Sequence, residues 1–230
     1  MAERTGQKKR ARRPALPPLI ETEADLEAHL KALVKGYPAF RAMYDIAGVV
    51  PLRRAEPGFR GLCWIITGQQ ISAAAGRAIF ARAEAALDAM TPECVLATDD
   101  AIMKSAGLSA PKIRTLRAVS EAIASGALDI DALSSADVQD AIAQLCAVKG
   151  IGKWTAEVYL LFALGHPDVF PAGDLALKEG IRHGFNLPER PSEKDLAAHS
   201  EAWQPLRSAA ARLTWAYYGA VKRGGDATPA

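Results

Sequence analysis

The stretch "VKGIGKWTA", residues 148–156, decides how this chain is read. Two glycines stand two apart between lysines, and a tryptophan then opens an apolar run. That make-up fits a nucleotide phosphate loop, a clamp for a nucleic-acid backbone, or a plain turn between two helices. The flanking residues discriminate. "DAIAQLCAVKGIGKWTAEVYLLFAL" has helical periodicity on both sides of the glycines. Walker and dinucleotide loops sit instead between a buried strand and a helix, and the stretch lacks the spacer and terminal GK[ST] of a Walker loop.

A helix–hairpin–helix over 135–164 remains, or a bare connector of the same shape. The glycines permit positive φ and put no side chain between backbone and ligand. Amides at the start of the second helix carry partial positive charge toward solvent, where a phosphate oxygen fits. Lys149 and Lys153 flank that point, and Ile151 would pin the turn onto the apolar faces of its helices.

Outward from the hairpin the chain reads as helix after helix, at about 22–36, 38–47, 55–89, 99–106, 111–125, 135–146, 153–164, 175–184, 193–202 and 205–222. Ser109 and Ser192 stand where caps belong, and Ser135 starts the first hairpin helix. Val49-Val50 and Val95-Leu96 are too short for a sheet. The fold class is all-α.

No apolar run approaches the roughly 20 residues of a membrane span, and the first residues lack the apolar middle of a secretory signal. A soluble intracellular protein is the default. Cys63, Cys94 and Cys146 form no CxxC pair, which argues against a zinc or iron–sulfur site. The net charge of +2 hides an asymmetry: residues 1–13 carry six Lys or Arg against one Glu, leaving 22 basic and 25 acidic residues elsewhere. A nucleic-acid partner would therefore meet a local basic patch on the folded body, not a general field. The basic run reads as a disordered tail, a non-specific DNA contact or a nuclear address.

The segments "LCAVKGIGKWTAEVYLLFAL" and "GHPDVFPAGDLALKEGI" resemble the helix–hairpin–helix superfamily of base-excision DNA glycosylases. The resemblance extends to "LCWIITGQQISAAAGRAIFARA" at 62–83 and "WQPLRSAAARLTWAYYG" at 203–219. It covers about 35–222, and its nearest branch is the 3-methyladenine glycosylase II type. It implies a two-lobed fold over 21–224, one lobe from 62–146 and the other from 21–61 plus 147–224. Residues 1–20 would be the basic tail and 225–230 a flexible end.

By the same resemblance Asp174 is the catalytic aspartate, 22 residues past Gly152, with Asp168 as its rival in the same loop. Trp154, Trp215 and Val158 would line the base pocket, while Trp64 and Tyr159 read as core. Gln69 and Gln70 would meet the lesion, with Gln70 at the wedge position. Lys149, Gly150, Ile151, Gly152 and Lys153 would hold a DNA phosphate. A Na⁺ or K⁺ would rest on the carbonyls of Cys146, Val148 and Ile151; no other cofactor and no iron–sulfur cluster is implied.

The expected activity is hydrolytic release of alkylated purines, of the 3-methyladenine and 7-methylguanine type, from double-stranded DNA. Lyase members carry lysine two residues after the second hairpin glycine, where this chain has Trp154. The implied protein is a monomer without a membrane partner, in the cytoplasm at a bacterial nucleoid or in a eukaryotic nucleus. A glycosylase/lyase for oxidised or mismatched bases, and a non-catalytic DNA-binding module, are the alternatives.

Overall fold

The computed structural model describes residues 15–223. The basic run before them and the last residues lie outside that range, and with them the readings of the tail and of the flexible end. Among the described residues there are twelve α-helices, three short 3₁₀ segments and no strand, so the fold is all-α. No helix among them is long and apolar enough to cross a membrane.

The body begins earlier than the tail reading implied. Ile20 is fully buried, and its amide donates to the Gly165 carbonyl at 2.8 Å. Helix α1 (Glu23–Gly36) starts at a capping box in which Thr22 and Asp25 bond each other's backbone amides. Its Leu26, Leu30 and Leu33 then fall on one buried stripe. Helix α2 (Arg41–Ala47) follows a 3₁₀ turn at Pro38–Phe40.

The periodic stretch at 55–89 is two helices, α3 (Phe59–Gly68) and α4 (Ala73–Ala86). Gln69 is extended, Gln70 takes a left-handed φ of 60°, and Ser72 caps α4 through the Ala75 amide. An apolar period survives such a break, because it reports the buried face and not the backbone between. A Cβ on Gly76 would stand 3.4 Å from the Gly68 Cα, so two glycines let the helices meet closely.

Helix α5 (Pro92–Ala97), capped by Thr91, was not legible as a separate element. After it come α6 (Asp100–Ser105) and α7 (Ala110–Ala124). Helix α8 (Val138–Cys146) begins later than Ser135, because the Asp137 carboxylate accepts the Gln139 amide at 2.9 Å. Ser135 closes the preceding turn instead, donating to the Ala132 carbonyl. Then follow α9 (Lys153–Phe162), α10 (Leu175–Gly184), α11 (Glu193–Ser200) and α12 (Arg207–Arg223).

Helices α4 and α7 pack on α3, with α5 against α7 and α6 against α4 and α7, whereas α1, α2 and α10 pack on α12. Helix α9 lies between the groups. It touches α8 and α3, and its Phe162 ring stacks on Trp215 of α12 at 5.5 Å. The second hairpin helix is therefore the structural axis of the protein.

Candidate active site and hairpin

Asp174 is the N-cap of α10. Its Oδ1 accepts the Leu177 amide at 3.0 Å, which fixes the carboxylate at the positive end of the helix. Two indoles converge on the same group. Trp154 donates from Nε1 to Oδ2 at 3.0 Å, and Trp215 donates from Nε1 to Oδ1 at 3.0 Å. Three N–H donors and no acceptor surround the carboxylate, an arrangement complementary to its ionised form. Residues 20 and 41 positions away thereby fix one side chain.

The two tryptophans differ in access. Trp215 is fully buried, with one ring neighbour in Phe162; Trp154, in the first turn of α9, is half-buried. Val158, one turn further along α9, is buried, and Phe162 follows one turn later. Beneath this row lies Arg212, buried, with its guanidinium 4.7 Å from the Phe162 centroid. It donates to the carbonyls of Leu52, of Arg53 at 2.9 Å and of Leu161 at 3.0 Å. Burial, with Arg54 nearby, lowers its pKa to about 9. An arginine within "SAAARLTWAYYG" was the available signal for this residue, which the sequence reading passed over.

Asp168 has another role. It is buried, and Arg207 holds both its oxygens, at 2.8 and 3.0 Å. Arg207 also reaches Glu201 at 2.7 Å. Both carboxylate oxygens are committed to joining the loop to the start of α12.

At the hairpin, Gly150 has φ +94°, and a Cβ there would meet Thr115 Oγ1 of α7 at 2.2 Å. Gly152 caps α9 with open space around its Cα and no side-chain cap bond. The first amides of this ten-residue helix thus have no side-chain cap. Ile151 is buried, and its amide closes the turn on the Val148 carbonyl at 3.1 Å. Lys149 is exposed. Lys153 is also exposed but lies 3.6 Å from the buried carboxylate of Glu157, whose pKa burial pushes up to about 7. The carbonyls of Cys146 and Ile151 accept no backbone hydrogen bond. The Val148 carbonyl already accepts the Ile151 amide; an oxygen-only set of these three would suit a hard cation. Among the described residues no cluster of three or more His, Cys, Asp or Glu could hold a metal.

The loop after α3 faces the same axis. Gln69 donates from Nε2 to Thr155 Oγ1 of α9 at 2.8 Å. Lys112 of α7 holds the carbonyls of Thr67 and Gln69 at 2.7 and 3.0 Å, and burial lowers its pKa. Gln70 is exposed and its side chain makes no hydrogen bond. A cavity of about 290 Å³ opens between α3, α4, α9 and residues 53–55, lined by Arg53, Arg54, Trp64, Ile65, Arg77 and Phe162.

Comparison with known proteins follows the same pattern. Residues 63–205 match the family described as HhH-GPD superfamily base excision DNA repair protein. DNA-3-methyladenine glycosylase 1 of Schizosaccharomyces pombe is 35% identical over 171 residues, which are 71% of this chain and 73% of that protein. A Mycobacterium tuberculosis protein named probable bifunctional transcriptional activator/DNA repair enzyme AlkA is 32% identical over 83% of this chain, which spans 40% of its length. The solved structure of S. pombe 3-methyladenine DNA glycosylase in complex with abasic DNA superposes with a TM-score of 0.72 at 30% identity, covering 86% of this chain and 96% of that one.

Proposed function

This chain belongs to the HhH-GPD superfamily of base excision DNA repair proteins, and on that premise we propose that it hydrolytically excises alkylated purines from double-stranded DNA. The observation that carries the proposal is the clasp on Asp174, in which two indole N–H groups and a helix N-terminus hold one carboxylate.

Breaking an N-glycosidic bond builds oxocarbenium character on the sugar, and a fixed anion near C1′ stabilises it. Donors already in place spare the site reorganisation as that charge develops. Asp174 also orients the attacking water. A purine carrying a ring alkyl cation is already a good leaving group, so no second catalytic carboxylate is needed.

The target atom lies inside the duplex and must be extruded. Gln70, exposed at the left-handed corner between α3 and α4, fills the vacated position. The open amides of α9, with Lys149 beside them, hold a backbone phosphate and read no sequence. A Na⁺ or K⁺ on the carbonyls of Cys146, Val148 and Ile151 would add positive charge at that phosphate.

The reaction stops at hydrolysis. The residue two positions after Gly152 is Trp154, whose ring N–H is spent on Asp174. The neighbouring amine, Lys153, is drawn to Glu157 on the next turn. Incubation with methylated duplex releases free methylpurine and leaves an abasic strand, and borohydride traps no protein–DNA adduct. A trapped adduct contradicts the hydrolytic chemistry; failure to release any methylpurine contradicts the function.

A further inference from the structure

Gln70 is exposed and has a left-handed φ of 60°. A residue other than glycine holds that conformation only where its surroundings impose it. Here they do so from two other helices. Helix α3 ends at Gly68 with no basic residue in its last turn, so its final carbonyls lack the cation that a helix C-terminus favours. Lys112, in the first turn of α7, supplies one. Its Nζ donates to the Thr67 carbonyl at 2.7 Å and to the Gln69 carbonyl at 3.0 Å. The two acceptors bracket the end of α3, and the second belongs to the residue that precedes Gln70.

The same face of α7 reaches the hairpin. Thr115 stands three residues after Lys112 and is buried. A Cβ on Gly150 would meet its Oγ1 at 2.2 Å, so this face abuts the hairpin turn. A second tie runs to α9, where Thr155 Oγ1 accepts from Gln69 Nε2 at 2.8 Å. Gln69 is thus held by its main chain to one helix that packs on the hairpin, and by its side chain to one that forms it. Beyond the corner, Ser72 caps α4 through the Ala75 amide at 3.2 Å. The chain is fixed on both sides of Gln70, whose own side chain is left unengaged.

We propose, resting on the reading of Gln70 as the residue that fills the vacated position, that Lys112 is a positioning residue for base extrusion. It holds the main chain at Gln69 so that Gln70 is presented at a set distance from the phosphate site of the hairpin. Extrusion costs unstacking and unpairing, and a wedge offsets that cost only if it is already in register when the base leaves. The contribution of Lys112 is therefore largest where the lesion is paired and shrinks where pairing is absent.

Release of a single 7-methylguanine is measured at single turnover from two duplexes. In one the lesion faces cytosine; in the other it faces a tetrahydrofuran abasic analogue. The proteins are wild type, Lys112→Met, Gln70→Ala and the double variant, with thermal unfolding recorded for each. Lys112→Met keeps the alkyl stem and loses the donor. It is expected to slow release roughly ten-fold from the paired duplex and less than about three-fold from the unpaired one, because extrusion costs least where pairing is already lost. The unpaired rate is also the control for folding. Gln70→Ala should show the same pattern, and the double variant should be no slower than the slower single variant, since the two residues act as one unit. Equal losses on both duplexes would make Lys112 a plain fold residue or a DNA-backbone contact and overturn the proposal. Additive losses in the double variant, or an unchanged paired rate in folded Lys112→Met, would overturn it too. An unchanged paired rate in Gln70→Ala refutes the wedge reading and this assignment with it. A wild-type protein that releases the base from neither duplex refutes the glycosylase reading itself.

Discussion

The hairpin and the aspartate clasp are adjacent along α9 and are built in opposite ways. At the hairpin, Gly152 faces open space, the first amides of α9 have no cap, and Lys149 points into water. At the clasp, three donors already occupy Asp174, and Trp215 is completely buried. One region leaves polar groups unsatisfied for an outside anion; the other satisfies a charge so that its position is fixed. Trp154 joins them: it belongs to the first turn of α9, where the open amides lie, and it ends on the closed carboxylate.

The largest effect separating the two regions is expected from Trp215→Phe. The variant keeps a buried ring but loses the N–H that positions Oδ1, and a small displacement of a reacting group costs about a hundred-fold in rate. Single-turnover base release should fall accordingly while duplex affinity is unchanged. A parallel fall in affinity would mean that clasp and hairpin act as one unit.

Next is Gly150→Ala. Its φ of +94° and the 2.2 Å approach to Thr115 Oγ1 predict a loss of about 1–3 kcal/mol in urea unfolding. Gly152→Ala, with nothing within 4 Å of the added Cβ, should lose far less. Equal losses would show that the second glycine is also a packing residue. Gly150→Ala should weaken binding to all sequences alike, without altering base choice.

The smallest effect belongs to Lys149→Ala. Removing one phosphate contact should weaken binding a few-fold and reduce the salt dependence of log K by about one. A change in base preference there would contradict its sequence-blind role.

Much of this contrast was legible in the sequence, for reasons that also explain what was not. The hairpin could be read because glycines report backbone directly, and Gly150 needs the left-handed φ that its residue type permits. Asp174 and both tryptophans could be named by resemblance, but their mutual bonding could not. Contacts across 20 and 41 residues leave no periodic trace, and tryptophan reads first as an apolar face. Trp64 and Phe162 pack with the core, as a helical pattern assigns them; the pattern's blindness lies in position. That blindness hid the corner at Gln69 and Gln70, where an apolar period continues while the chain turns. Asp137 displaced Ser135 as the cap of α8 because either residue type serves, and Ser135 is engaged in closing the preceding turn on the Ala132 carbonyl.

The central claim is that the ionised Asp174 performs the chemistry and the hairpin only holds the DNA. Its most direct test is single-turnover release of 3-methyladenine by Asp174→Asn, with duplex affinity measured on the same preparation. The amide keeps the cap shape but removes the charge. We predict a loss of release by at least about a hundred-fold with affinity retained. Release at the wild-type rate by a variant that still binds would contradict the mechanism.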